Sequence, residues 1–99
     1  MTTDRRIRVV VAASGDDADA RLAARALLMS GLEVVFVGGD QSVDQLVRTV
    51  AAEDAGRLVV DGSDEDLDRL RSALDREGLT DVETEGCDRP DAPQDAANG

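Results

Sequence analysis

Histidine, lysine, tryptophan and tyrosine are all absent from this 99-residue chain. Without histidine there is no imidazole base for a nucleophilic triad and no ligand set for zinc-deaminase chemistry. Acid–base work would fall to carboxylates, and no pair stands out among 22 acidic residues. The single cysteine, Cys87, excludes an internal disulfide framework and a cysteine-rich zinc site. It lies in a polar stretch and reads as an incidental thiol. Phe36 is the single aromatic, so the core must be built from Val, Leu, Ile and Ala. No apolar run approaches the roughly 18 residues of a membrane span. The opening "MTTDRRIR" lacks the apolar region and cleavage site of a signal peptide, so the expected location is cytoplasmic.

All eleven cations are Arg, and the net charge is −11. A basic face that could neutralise phosphates is missing, which argues against nucleic acid and against an anionic membrane surface. An acid-rich, lysine-free balance resembles that of cytosolic proteins from organisms that accumulate salt, where screening relieves carboxylate repulsion. The expectation is a halophilic protein.

What is present is a regular alternation. "IRVVVAA" (7–13) is a continuous apolar run of strand length, the pattern of a strand buried on both faces. Ala20, Ala23, Ala24, Leu27 and Leu28 then fall at helical spacing, and Gly31 suits the position just past a helix end. "EVVFVGG" (33–39) reads as a second buried strand. Ser42 with Gln45 forms a capping box for a helix whose apolar face is Val43, Leu46, Val47, Val50 and Ala51, with Gly56 ending it. "RLVV" (57–60) is a third strand. Ser63 with Asp66 caps a third helix striped by Leu67, Leu70 and Leu74 and closed by Gly78. A weak fourth strand is expected over 81–85. Strands alternating with helices predict an α/β fold, a small flavodoxin-like (doubly wound) parallel sheet of about four strands. Residues 1–85 form the expected domain, and 86–99, rich in Pro, Gly and Asp, an expected disordered acidic tail.

In such a sheet ligands bind beyond the carboxyl ends of the strands, where strand order reverses. For the order 2-1-3-4 the loops there are "SGDDAD" (14–19) and "DGSD" (61–64). Asp16, Asp17 and Asp61 occupy the places of the metal-binding acids in phospho-receiver domains, which is one alternative. Solvated loop acids at helix N-termini account for the same residues. No GxGxxG follows the first strand, and "SGDD" would repel a pyrophosphate.

The running order of 6–86 resembles the cobalamin-binding domain of the methylmalonyl-CoA mutase family. Gly31-Leu32-Glu33-Val34 and Gln41-Ser42-Val43-Asp44-Gln45 match the family's helix end, second strand and second helix start. The resemblance places Asp17 at the acid of the Asp-x-His-x-x-Gly loop, Asp19 at the ligating His and Leu22 at the Gly. Ser63 falls where the family contacts the nucleotide tail. A carboxylate is a poor replacement for imidazole on cobalt, and Leu22 is expected to crowd the close approach that Gly permits. The last βα unit of the family has no counterpart. The resemblance therefore implies a truncated, degenerate domain: a non-catalytic accessory subunit that binds a larger subunit of a propionyl-CoA or methylmalonyl-CoA enzyme complex (mutase or carboxylase) and carries no cofactor. The alternative is a cobalamin-binding small subunit of a mutase-type isomerase. The missing unit is expected to leave apolar surface near Val60 and Val82 open for docking.

Overall fold

Runs of β-branched residues separated by capped helices produce seven elements in strict alternation. The computed structural model describes residues 7–87; 1–6 and 88–99, which hold most of the expected tail, lie outside the described residues. The order is β1 (Arg8–Ala13), α1 (Ala18–Met29), β2 (Glu33–Gly38), α2 (Val43–Glu53), β3 (Arg57–Asp61), α3 (Asp64–Arg76) and β4 (Glu83–Gly86). The four strands form one parallel sheet in the order β2-β1-β3-β4, as expected. The fold is α/β and flavodoxin-like.

Helix starts follow local chemistry. Ser42 Oγ accepts from Gln45 N–H at 3.1 Å, and Gln45 Oε1 accepts from Ser42 N–H at 2.8 Å, so two orphan donors of α2 are satisfied reciprocally. A cap of this kind contributes about 1 kcal/mol. Gly31 and Gly78 follow α1 and α3 with φ of 93° and 78°, a region that costs glycine nothing.

Period-2 alternation divides the sheet into two cores. Val10, Ala12, Leu58 and Val60 face α2 and α3, meeting Leu46 and Leu70. Val9, Val11, Ala13 and Val59 face α1, which reaches them with Ala20, Ala24 and Leu27. Two helices cover one face and a single helix the other. Full burial of each Leu or Val is worth about 1.5–3 kcal/mol, and β1 with β3 buries as many of them as α2 with α3 does.

Several expectations are corrected. β2 is only half-buried, because it is an edge strand: its partner on one side is β1, and Phe36 is 36% exposed. Leu28 is 62% exposed, because Ala20, Ala24 and Leu27 set the rotation of α1 and turn it outward. Ala51 is exposed for the same kind of reason on α2. That helix stops at Glu53, and Asp54, at φ 51°, takes the left-handed cap. Gly56 is instead buried at the start of β3, donating to Arg8 O and accepting from Glu83 N–H. Val60 is 0% exposed, and Val82 packs half-buried against the same core, so what remains open there is only the outer part of Val82 beside Leu79. The strand that borders it, β4, is "ETEG" and presents polar side chains. Cys87 does not hang in a tail: its N–H donates to Val60 O, and its side chain packs half-buried against the α1-side core.

Candidate functional site

The carboxyl ends of β1 and β3 lie side by side, which brings the loop at 14–17 against the loop at 61–63. This is the crevice where a doubly wound sheet accepts a ligand. Here it is laced together. Ser14 N–H donates to Asp61 O at 3.1 Å, and Ser14 Oγ donates to Asp66 Oδ2 at 3.2 Å. Asp66 Oδ2 also accepts from Ser63 N–H at 3.1 Å, while Ser63 Oγ accepts from Asp66 N–H at 3.0 Å. On the other side, Asp40 N–H donates to Gly15 O and Gln41 N–H to Ala13 O, each at 3.0 Å. Gly39 is required there, because a Cβ would run into Gly15 O. Gly62 is less constrained: a Cβ there would come 3.0 Å from Asp66 Oδ2 and 3.2 Å from Ser14 Oγ, side-chain atoms that can shift.

Each residue singled out in the sequence has a defined place. Asp17 sits at the N-cap of α1 without a capping bond from its side chain; Oδ1 accepts from Arg21 Nε at 3.3 Å. It lies against Gly38 and Gly39 of the second loop. Asp19 occupies the first turn of α1. Ser63 is the N-cap of α3, its hydroxyl and N–H both engaged with Asp66. The contacts of Asp17 and of Ser63 therefore run to different loops. Leu22 does not crowd the loop as expected: α1 has already begun at Ala18, and Leu22 is 67% exposed on its outer side. The receiver-type set does not converge either. Asp16 Oδ2 accepts from Ala18 N–H at 3.1 Å, and among the described residues no group of three or more His, Cys, Asp or Glu could hold a metal ion.

Gln41 was not legible as part of this site, and Ser14 was legible only as the first residue of a switch-point loop. Ser14 looks like a turn residue, and only the parallel pairing of β1 with β3 brings it to Asp66. What space remains is a cavity of about 220 Å³ between α2 and α3, bordered by Ser14, Gln41, Leu46, Asp66, Arg69 and Leu70. Ligand pockets usually occupy about 300–1,000 Å³, so this one is small even for a modest ligand.

The Asp66 carboxyl is held below its ordinary value of 3.8, chiefly by the Ser63 N–H, with the Ser63 and Ser14 hydroxyls and the Arg69 guanidinium assisting against partial desolvation. A lowered folded pKa means that this stabilisation is complete above 3.8 and is lost as pH falls through the folded value. Denaturant unfolding of the native chain and of Asp66→Asn, followed across acid pH, should show a stability difference that shrinks below that point. A difference constant with pH would mean that the lacing does not depend on the charge.

No family model matches the chain, and none of the curated proteins does. Among solved structures the chain is similar to a novel cobalamin-binding protein from Desulfitobacterium hafniense DCB-2, with a TM-score of 0.66 and 22% sequence identity. The match covers 82% of this chain but 44% of that one, so the chain spans less than half the length of the protein it matches. The likeness establishes the fold, a flavodoxin-like α/β arrangement of strands and helices.

Proposed function

We propose that this chain keeps the framework of a cobalamin-binding domain but acts by binding protein, as a non-catalytic accessory subunit of a propionyl-CoA or methylmalonyl-CoA enzyme complex. The observation that carries this reading is the laced switch-point crevice. Across the place where a ligand would enter, Ser14 N–H donates to Asp61 O and Ser14 Oγ to Asp66 Oδ2, while Asp66 is further held by the Ser63 cap of α3. The structural neighbour is described as cobalamin-binding, which supports the ancestry of the framework. The lack of any histidine removes the imidazole ligand that the resemblance would call for. Asp19, at that position, offers a hard oxygen donor in its place. That the partner belongs to a mutase or carboxylase complex rests on the resemblance to the mutase family and on the metabolic link between the two enzymes.

The test has two parts. Titration of the purified chain into hydroxocobalamin should leave the corrinoid absorption spectrum unchanged, and the protein should be colourless. A stoichiometric complex with a Kd of about 1 μM or tighter, roughly 8 kcal/mol of binding, would restore the alternative of a cobalamin-carrying mutase subunit. Tagged chain isolated in molar KCl should bring down a larger subunit of a CoA-handling enzyme. Isolation as a monomer with no such subunit would remove the accessory role.

A further inference from the structure

Among the described residues, the exposed large apolar side chains are gathered on one side. Leu22, Leu28 and Met29 on α1 are 67%, 62% and 81% exposed, and Phe36 on β2 borders the same helix. Together with Arg21 and Arg25, Leu22 and Phe36 line an open groove of about 590 Å³. The other two helices differ. Their outward positions are polar or Ala, and their large apolar side chains face the core. Charge divides the same way. α1 carries two Arg against one Asp, whereas α2 has one Arg against two acids and α3 three Arg against five. In a chain of net charge −11, the helix that shows apolar side chains to solvent is also the one whose charge is net positive.

We propose that the outer face of α1, with Phe36 of β2, is the docking surface for an acidic amphipathic helix of a partner protein. This rests on the protein-binding reading above. Arg25 makes no ion pair among the described residues, so a partner carboxylate can take it without displacing an existing one. Arg21 lies 5.4 Å from the centroid of the Phe36 ring and is steadied by Asp17, so it forms a fixed wall of the groove. A helix laid along α1 would bury Leu22 and Phe36 and place an acid beside Arg25, the usual helix-in-groove arrangement. A second copy fits poorly, since it would bring another Arg25 and a further net charge of −11 to the same face.

The probe is a fluorescent amphipathic peptide with Leu at helical spacing flanked by Glu, compared with a twin carrying Lys in place of Glu. Anisotropy titrations of the full chain should show the Glu peptide binding about tenfold tighter than its twin, the scale of one well-placed interface contact. Arg25→Glu should abolish that preference, and Leu22→Asp should weaken both peptides. Both positions are exposed, so unchanged thermal unfolding of the variants in molar KCl, where the added negative charge is screened, serves as the folding control. Equal binding of both peptides, no binding, or variants without effect would overturn the proposal. So would a dimer in sedimentation that Leu22→Asp dissolves, because the occupant would then be a second copy. The same variants, carried through the recovery of the CoA-enzyme subunit, separate the two readings. Undiminished recovery by both variants would overturn this surface and leave the accessory role standing. Absence of the subunit, with the Glu peptide still bound, would support the surface and remove that role.

Discussion

Raising KCl from about 0.01 M to about 1 M is expected to raise the Tm of the isolated chain by about 10 °C, equivalent to about 2 kcal/mol for a domain of this size. The reason lies in the charge distribution. With 22 acids and 11 Arg, at least half the acids have no Arg in any one-to-one pairing. Among the described residues the pairs that form are largely at the surface: Arg8 with Glu33, Arg21 with Asp17, Arg57 with Glu85, Arg69 with Glu65 and Asp66, and Arg71 with Asp68. Exposed pairs of this sort are worth about 0–1 kcal/mol each and cannot offset the excess. At about 0.01 M salt the Debye length is about 30 Å, so carboxylates across the whole domain repel one another. At about 1 M it is about 3 Å, and repulsion is confined to near neighbours. Circular dichroism melts across a KCl series read the effect directly. A Tm that stays flat would show that the excess acids are too dispersed to repel, and the expectation of a halophilic protein would go with it.

Leu58→Ala should be the most damaging single core substitution, costing about 2–5 kcal/mol. Leu58 is fully buried at the centre of β3, opposite Val10 on β1 and Thr84 on β4. Its side chain belongs to the core that α2 and α3 close, so little can collapse into the space left behind. Small domains are stable by about 5–15 kcal/mol in total, and charge repulsion already lowers that margin at low salt. The variant should therefore be largely unfolded in dilute buffer and regain its helical signal in molar KCl. Leu28→Ala, at an exposed position on α1, should change stability by no more than about 0.5 kcal/mol. Equal losses for the two would contradict the core assignment, because only one of them removes buried contacts.

Much of this fold follows from local signals. Each capping box predicted from Ser42-x-x-Gln45 and Ser63-x-x-Asp66 is present with both of its bonds, because a cap depends on residues within one turn. The apolar run at 7–13 is a strand whose Val9, Val10 and Val11 are wholly buried, as a run without alternation implies. The strand order β2-β1-β3-β4 is the one that doubly wound connectivity favours.

Other features depended on which neighbours the tertiary structure supplied. "EVVFVG" is as apolar as β1, yet it is half-exposed, since an edge position is set by the whole sheet and not by the strand. Leu27 and Leu28 are adjacent and chemically identical, and only the angle at which α1 meets Val9, Val11 and Val59 decides that one packs and the other faces water. Ser14 and Asp66 are separated by 52 positions, so no periodicity could announce that they close one crevice; the register of β1 beside β3 does that. The sequence by itself determined the α/β class, the helix starts and the excess of negative charge, because those are set by residues within a turn or by simple counting. The tertiary structure alone decided that Ser14 bridges the ligand crevice to Asp61 and Asp66, leaving a cavity of about 220 Å³, and that the exposed large apolar side chains among the described residues lie on α1 and at Phe36 of β2. Both depend on contacts between segments that the chain keeps far apart.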